Sequence, residues 1–209
     1  MMGPPGAGKG TQARLLTQRL GVPHVATGDM LREAVAAGTP VGEEAGRYVD
    51  QGLLLPDDVV IRLVAERLGA ADAAKGFVLD GFPRTVPQAE ALDAMLARGG
   101  TRLDGVIQLQ VPRDELVRRL AGRRVCRACG TLFSAVDGAA ASPCARCGGE
   151  LYQRADDSEE TVRRRMDVYE QETQPVVEHY RRLGVLREIT GTGTEEDVRR
   201  RIASSVKAA

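Results

Sequence analysis

The spacing of apolar residues changes in a regular way along the chain. Over 11–20, Ala13, Leu15, Leu16 and Leu20 recur at helical spacing before Gly21, which predicts a helix with a glycine stop. Residues 22–26 are a strand candidate, followed by Thr27 as an N-cap and a helical run through Val35 to Gly38. Helices are expected over 41–51 and 57–68, the second opening behind Pro56. Gly76-Phe77-Val78-Leu79-Asp80 is nearly all apolar and bounded by turn residues, the pattern of a strand covered on both faces in a parallel sheet. A helix over 86–98, a strand over 106–111 and a helix over 113–122 follow. This alternation predicts an α/β domain, a parallel sheet flanked by helices.

The alternation stops at Val125, where glycines and all four cysteines occur without a helical period. A long helix is expected over 158–183, with Asp157 and Glu160 as an acid-rich cap. A last strand over 185–190 and a last helix over 195–206 complete the pattern. Repeats, low-complexity stretches and long linkers are missing from the sequence, so the cysteine segment reads as an insertion into one domain. A chain of 209 residues is ample for one core with inserts.

Composition narrows the function. Apolar residues make up 43% and charged residues 28%, and no apolar run approaches the roughly 20 residues of a bilayer span. A helical membrane protein is excluded. The 29 basic and 29 acidic side chains cancel, so no long-range field favours nucleic acid or an anionic membrane. An anion must be met by a local cluster. The opening Met1-Met2-Gly3-Pro4-Pro5 lacks the pattern of a secretory signal, so a reducing cytoplasm is the expected location.

Two motifs carry chemistry. Gly3-Pro4-Pro5-Gly6-Ala7-Gly8-Lys9 fits the phosphate-cradling loop G-x-x-x-x-G-K. Its glycines let backbone N–H groups turn towards phosphate oxygens, the following helix offers its positive end, and Lys9 adds a point charge. Gly10 then occupies the usual Ser/Thr position, and the hydroxyl arrives one residue later at Thr11. Cys126-x2-Cys129-x14-Cys144-x2-Cys147 has the spacing of two zinc knuckles, and four thiolates imply a closed, tetrahedral, structural Zn²⁺ site. Disulfides and redox cysteines are the alternatives. His24 is read as a strand-end residue and His179 as helix surface, neither of them catalytic.

Taken in order, Gly3 to Thr11, Thr27-Gly28-Asp29-Met30-Leu31-Arg32, Asp80-Gly81-Phe82-Pro83-Arg84-Thr85 with Gln88, Gly122-Arg123-Arg124-Val125 and Tyr152-Gln153-Arg154-Ala155-Asp156-Asp157 resemble the successive motifs of the adenylate kinases. The form resembled is the long bacterial one with a zinc-bearing lid. The resemblance implies a P-loop nucleoside monophosphate kinase fold with a core of residues 1–25, 56–121 and 158–209. A nucleoside monophosphate insert would span 26–55 and a zinc-binding lid 122–157.

It further implies ATP at Gly6, Ala7, Gly8, Lys9, Gly10, Thr11, Arg119, Arg123 and Gly193. AMP is implied at Thr27, Arg32, Leu53, Leu55, Gly81, Arg84, Gln88, Arg154 and Arg165. Lys9, Arg84, Arg123, Arg154, Arg165 and Asp80 would serve the phosphoryl transfer, Asp80 by holding Mg²⁺. Consecutive helical residues point about 100° apart, so Arg163, Arg164 and Arg165 cannot all face one site. The resemblance selects Arg165. The implied reaction is Mg·ATP plus AMP giving two ADP, in a monomer.

Kinases for UMP/CMP or with GTP as donor share most of these motifs, and Gln88 favours adenine among them. A zinc-ribbon nucleic-acid binder is opposed by the neutral charge and the phosphate loop. A loop of this kind hangs from the C-terminal end of a strand, yet only Met1 and Met2 precede Gly3. The expectation here is a start several residues upstream.

Overall fold

The computed structural model describes residues 1–134 and 143–206. Two parallel pairs form the sheet region. Strand β1 (His24–Ala26) runs beside β2 (Val78–Asp80), with His24 opposite Val78 and Ala26 opposite Asp80. Strand β3 (Val106–Gln110) runs beside β7 (Leu186–Thr190), with Val106 opposite Leu186. Met2 makes a single parallel bridge to Gln108, and the Met1 ammonium donates to the Leu79 carbonyl at 2.7 Å, so the first two residues lie between the pairs. An apolar cavity of about 830 Å³ runs along β2 and β3 beside them. The third sheet, ordered β5-β4-β6, is antiparallel and built from β4 (Arg123–Cys126), β5 (Leu132–Ser134) and β6 (Leu151–Tyr152).

The helices follow from local chemistry. Helix α1 (Lys9–Leu20) ends at Gly21, which takes the left-handed conformation at φ 68° and donates back to Thr17. Helix α2 (Thr27–Ala36) packs against α3 (Pro40–Val49), which opens on the Thr39 cap and Pro40. Helix α4 (Asp57–Leu68) packs against α5 (Val86–Arg98), where the Thr85 hydroxyl oxygen accepts from the Gln88 amide at 3.3 Å. Helix α6 (Arg113–Ala121) leads into β4, and α9 (Glu195–Val206) closes the chain against α1.

Leu92 and Val64 lie fully buried in the core under α4 and α5, where a Leu-to-Ala truncation costs on the order of 3 kcal/mol. Leu109 and Leu120 seal a second core around β3, α6 and α9.

Three local expectations need correction. The long helix over 158–183 is instead α7 (Glu159–Val168), a π turn over Tyr169–Thr173, and α8 (Gln174–Arg182). Pro175 has no N–H to give and its ring crowds the carbonyl one turn earlier, which a regular helix cannot absorb. The cap of α7 is Ser158, whose hydroxyl accepts from the Thr161 amide, with Glu159 and Glu160 in the first turn. Asp157 is not a cap; it faces arginines. Thr27 is likewise the first helical residue rather than the N-cap, because its hydroxyl donates to the Gly81 carbonyl at 2.9 Å.

Candidate active site

The loop preceding α1 turns on glycine. Gly8 caps the helix at φ 91°, and the α1 N-terminus faces a cavity of about 450 Å³. Lys9 extends along its own loop and donates to the Gly3 and Pro4 carbonyls at 2.8 and 2.9 Å. Burial, with Arg84, Arg165 and Arg123 nearby, pushes the Lys9 ammonium down to about 8 against the pull of Asp80. The departure at Gly10 has a steric reason. A Cβ there would stand 3.3 Å from Asp80 Oδ2, so the missing side chain gives the carboxylate its place beside the loop.

Asp80 sits at the end of β2, where a sheet strand delivers side chains to the switch between α/β layers. Burial alone would raise its carboxyl, but the His24 imidazole at 3.3 Å and the Lys9 ammonium hold it below the usual range. His24 therefore supports the site from behind through Asp80, and is not merely a strand end. Gly81 follows at φ 77°, a conformation favouring glycine, with Arg84 Nη2 and Thr27 Oγ1 close to where a Cβ would stand. Arg84 Nε donates to the Gly81 carbonyl at 2.8 Å.

The arginines converge from four elements. Arg123 at the start of β4 and Arg165 on α7 share Asp157, whose side chain has no exposure; Arg123 Nε donates to it at 2.7 Å and Arg165 Nη1 at 3.3 Å. Arg165 also donates to Asp156 Oδ2 at 2.8 Å. Arg119 on α6 donates to the Gly191 carbonyl at 3.2 Å and to Glu115 at 2.9 Å. Arg154 has a buried Nε with no partner among the described residues, and its nearest carboxylate, Asp29, is 3.8 Å away. Arg163 and Arg164 face outward to Glu159 and Glu160, which leaves Arg165 as the inward member of the run.

The cavity of about 450 Å³ at the loop thus collects eight cations (Lys9, Arg14, Arg32, Arg84, Arg119, Arg123, Arg154 and Arg165) against four carboxylates: Asp29, Asp80, Glu115 and Glu195. Arg84 and Arg154 are both pushed down to about 10, first by burial and then by neighbouring guanidinium groups. Asp156 and Asp157 behind the wall offset part of this charge through Arg123 and Arg165, and the positive charge that remains suits an anion with several oxygens.

All the residues expected to meet ATP line this cavity: Gly6, Ala7, Gly8, Lys9, Gly10, Thr11, Arg119, Arg123 and Gly193. A second cavity, of about 120 Å³, opens beside it between α2, α4, α5 and the π turn. Thr27, Arg32, Leu53, Leu55, Gly81, Arg84, Gln88 and Arg165 line it, as expected for AMP, whereas Arg154 lines only the larger one. Asp29, Asp57, Asp156 and Tyr169 carry no assignment from sequence, and Asp157 only that of a helix cap. Asp156 and Asp157 stand inside a quoted motif, so their charge beside Arg154 was the available signal.

The four cysteines come together at one end of the antiparallel sheet. Their sulfurs all lie within 4.8 Å of one another, with Cys126 to Cys147 at 3.5 Å and Cys129 to Cys144 at 3.7 Å. Zinc–sulfur bonds of about 2.3 Å in a tetrahedron require sulfurs about 3.8 Å apart, so the set fits Zn²⁺. No disulfide joins any of the four. Gly130 donates to the Cys126 carbonyl and Gly148 to the Cys144 carbonyl, closing the two knuckles expected from the spacing.

Comparison with other sequences agrees with this geometry. The sequence profile of the family described as Adenylate kinase matches residues 1–185. A protein of Carboxydothermus hydrogenoformans named adenylate kinase is 54% identical over 204 residues, covering 95% of this chain and 94% of its own. One of Moorella thermoacetica is 56% identical over 194 residues, covering 92% and 89%. One of Archaeoglobus fulgidus is 52% identical over 199 residues, covering 94% and 92%. With two adjoining cavities on one phosphate loop and similarity running almost from end to end, the chain belongs to the adenylate kinase family, whose reaction passes a phosphoryl group between ATP and AMP.

Proposed function

We propose that the larger cavity takes the phosphates of Mg·ATP, the smaller takes AMP, and the γ-phosphoryl group crosses the wall between them in line, giving two ADP. The observation that carries this reading is the wall itself. Pro5, Lys9, Gly28, Arg32, Gly81, Arg84 and Arg165 line both cavities, so the acceptor oxygen and the transferring phosphorus would be bounded by the same cations. Charge in the transition state spreads over non-bridging oxygens, and planar guanidinium donors together with the Lys9 ammonium match it. Arg84 and Arg165 act from the shared wall, while Arg119, Arg123 and Arg154 act from the ATP side. One phosphoanhydride breaks and one forms, so the equilibrium constant is near unity.

Asp80, kept ionised by His24 and Lys9, would hold Mg²⁺ directly or through its waters, and the ion supplies charge neutralisation to the phosphates. Cys126, Cys129, Cys144 and Cys147 would hold Zn²⁺ and keep 122–157 a rigid piece. Residues 26–55 and 122–157 would close over the nucleotides and exclude water, the competing acceptor. The enzyme is taken as a cytoplasmic monomer without nucleic-acid or membrane partners. The balanced charge supports the lack of a nucleic-acid partner, and among the described residues no helix is long and apolar enough to cross a membrane.

The test is a coupled assay with ATP and each of AMP, CMP, UMP and GMP. AMP should exceed the others by orders of magnitude. Comparable turnover with CMP or UMP would move the enzyme to another nucleoside monophosphate class.

A further inference from the structure

We propose that Asp57 fixes which way round the Gln88 side-chain amide faces, and thereby makes the smaller cavity read adenine rather than hypoxanthine or guanine. The inference rests on the reading that Gln88 meets the acceptor base.

Gln88 is 1% exposed and lines the smaller cavity. Its Oε1 accepts the Arg84 backbone N–H at 2.8 Å, and its Nε2 donates to Asp57 Oδ1 at 2.7 Å. The same carboxylate oxygen accepts the Thr85 hydroxyl at 2.9 Å. A primary amide has almost the same shape after a half-turn, so only its partners choose the orientation. Here both partners choose alike: a carboxylate can only accept, and a backbone N–H can only donate. After a half-turn Oε1 would meet the carboxylate and the NH₂ group would meet an N–H, both repulsive.

With those two contacts made, Gln88 keeps one N–H and one oxygen lone pair in a fixed order. Adenine presents an acceptor at N1 beside a donor at N6. Hypoxanthine and guanine present the inverse, a donor at N1 beside an acceptor at O6. The amide orientation therefore selects between them, and Asp57, the first residue of α4, acts as a positioning residue on the first turn of α5. A site committed to one hydrogen-bonding order rejects the inverse strongly, because a mismatched base leaves buried groups unpaired.

The test compares kcat/KM for AMP and IMP in wild type, Asp57→Asn, Gln88→Leu and the double variant, with thermal unfolding of each. Asparagine can accept or donate, so Asp57→Asn leaves only the Arg84 N–H to select the orientation. The AMP-to-IMP ratio is expected to fall about tenfold in Asp57→Asn, with no further fall on adding that change to Gln88→Leu. Asp57→Ser carries the same test if the asparagine variant does not fold. A merely structural role would lower both substrates together and leave the ratio unchanged. If Gln88→Leu collapses the ratio while folded Asp57→Asn keeps it, the role of Asp57 is overturned and the Gln88 reading stands. If Gln88→Leu itself keeps the ratio, the Gln88 reading fails and the proposal fails with it.

Discussion

The cysteine cluster and the arginine cluster are opposite electrostatic problems solved by different means. At the end of the antiparallel sheet, four sulfurs within 4.8 Å of one another form a site that calls for a cation once the thiols ionise. Around the phosphate loop, eight cations line one cavity with four carboxylates, a site that calls for anions. The first is assembled from one short segment whose knuckles close on their own backbone amides. The second is assembled from α1, β2, α6, β4 and α7, and is held in the protein alone by buried acids, chiefly Asp157 between Arg123 and Arg165. A permanent counter-ion makes a rigid part; an exchangeable one, supplied by substrate, makes a working site.

The comparison can be broken at several points. Lys9→Met should lower kcat by about two orders of magnitude or more while the enzyme remains folded, because the ammonium acts mainly on charge developing in the transition state. Near wild-type turnover of the folded variant, measured under saturating ATP and AMP, would remove the loop from the chemistry.

Asp157→Asn should cost stability on the order of 3 kcal/mol, since two buried guanidinium groups lose their shared negative charge. Urea unfolding reads that loss directly. Saturating ATP with AMP should restore part of it, because the nucleotides supply negative charge to the same cavity.

On the other side, a mercurial with a chelator should release about one zinc per chain and lower the melting temperature by about 5 °C or more. Activity should be lost with the lid structure rather than before it. Protein purified without added zinc that contains no thiolate-bound metal would overturn the cysteine assignment.

The smallest effect is in pH. The folded pKa of Lys9, about 8, lies below its ordinary value of 10.5, so between these values the unfolded chain binds the proton that the folded one has lost. The Lys9 contribution to stability therefore rises with pH across that window. Activity moves the other way: kcat/KM should fall as pH rises through about 8, and ATP binding there should take up protons. Calorimetry in two buffers of different ionisation enthalpy measures that uptake.

The two clusters were not equally legible. Spacing alone identified the cysteine site, because its ligands are neighbours in sequence and its geometry is local. The arginine site is dispersed from Lys9 to Arg165, and with only three lysines among 29 basic residues no single arginine stood out. Ordered motifs selected Arg119, Arg123, Arg154 and Arg165, and all four line the larger cavity. Helices α4, α5 and α9 agree with the periodicity end to end, since apolar spacing coincides there with Pro56 before α4, the Thr85 cap and Pro87 of α5, and the Thr194–Asp197 bonds opening α9. The π turn before Pro175 leaves no mark in the pattern, because Val162, Met166 and Tyr169 before it and Val176, Val177 and Tyr180 after it stay in helical phase across a polar gap. Asp157 was misread as a cap because a carboxylate before a helix has two uses, and only tertiary structure brings Arg123 to it. His24 and Asp57 gave no signal, as their partners lie 56 and 31 residues away.

The central claim, direct transfer across a wall shared by two cavities, is tested most directly by following the label of γ-labelled ATP in a rapid-quench experiment with AMP. The label should appear in the β position of ADP, one labelled ADP for each ATP consumed, with negligible label in inorganic phosphate. Label reaching phosphate at a comparable rate, with or without AMP, would contradict the claim.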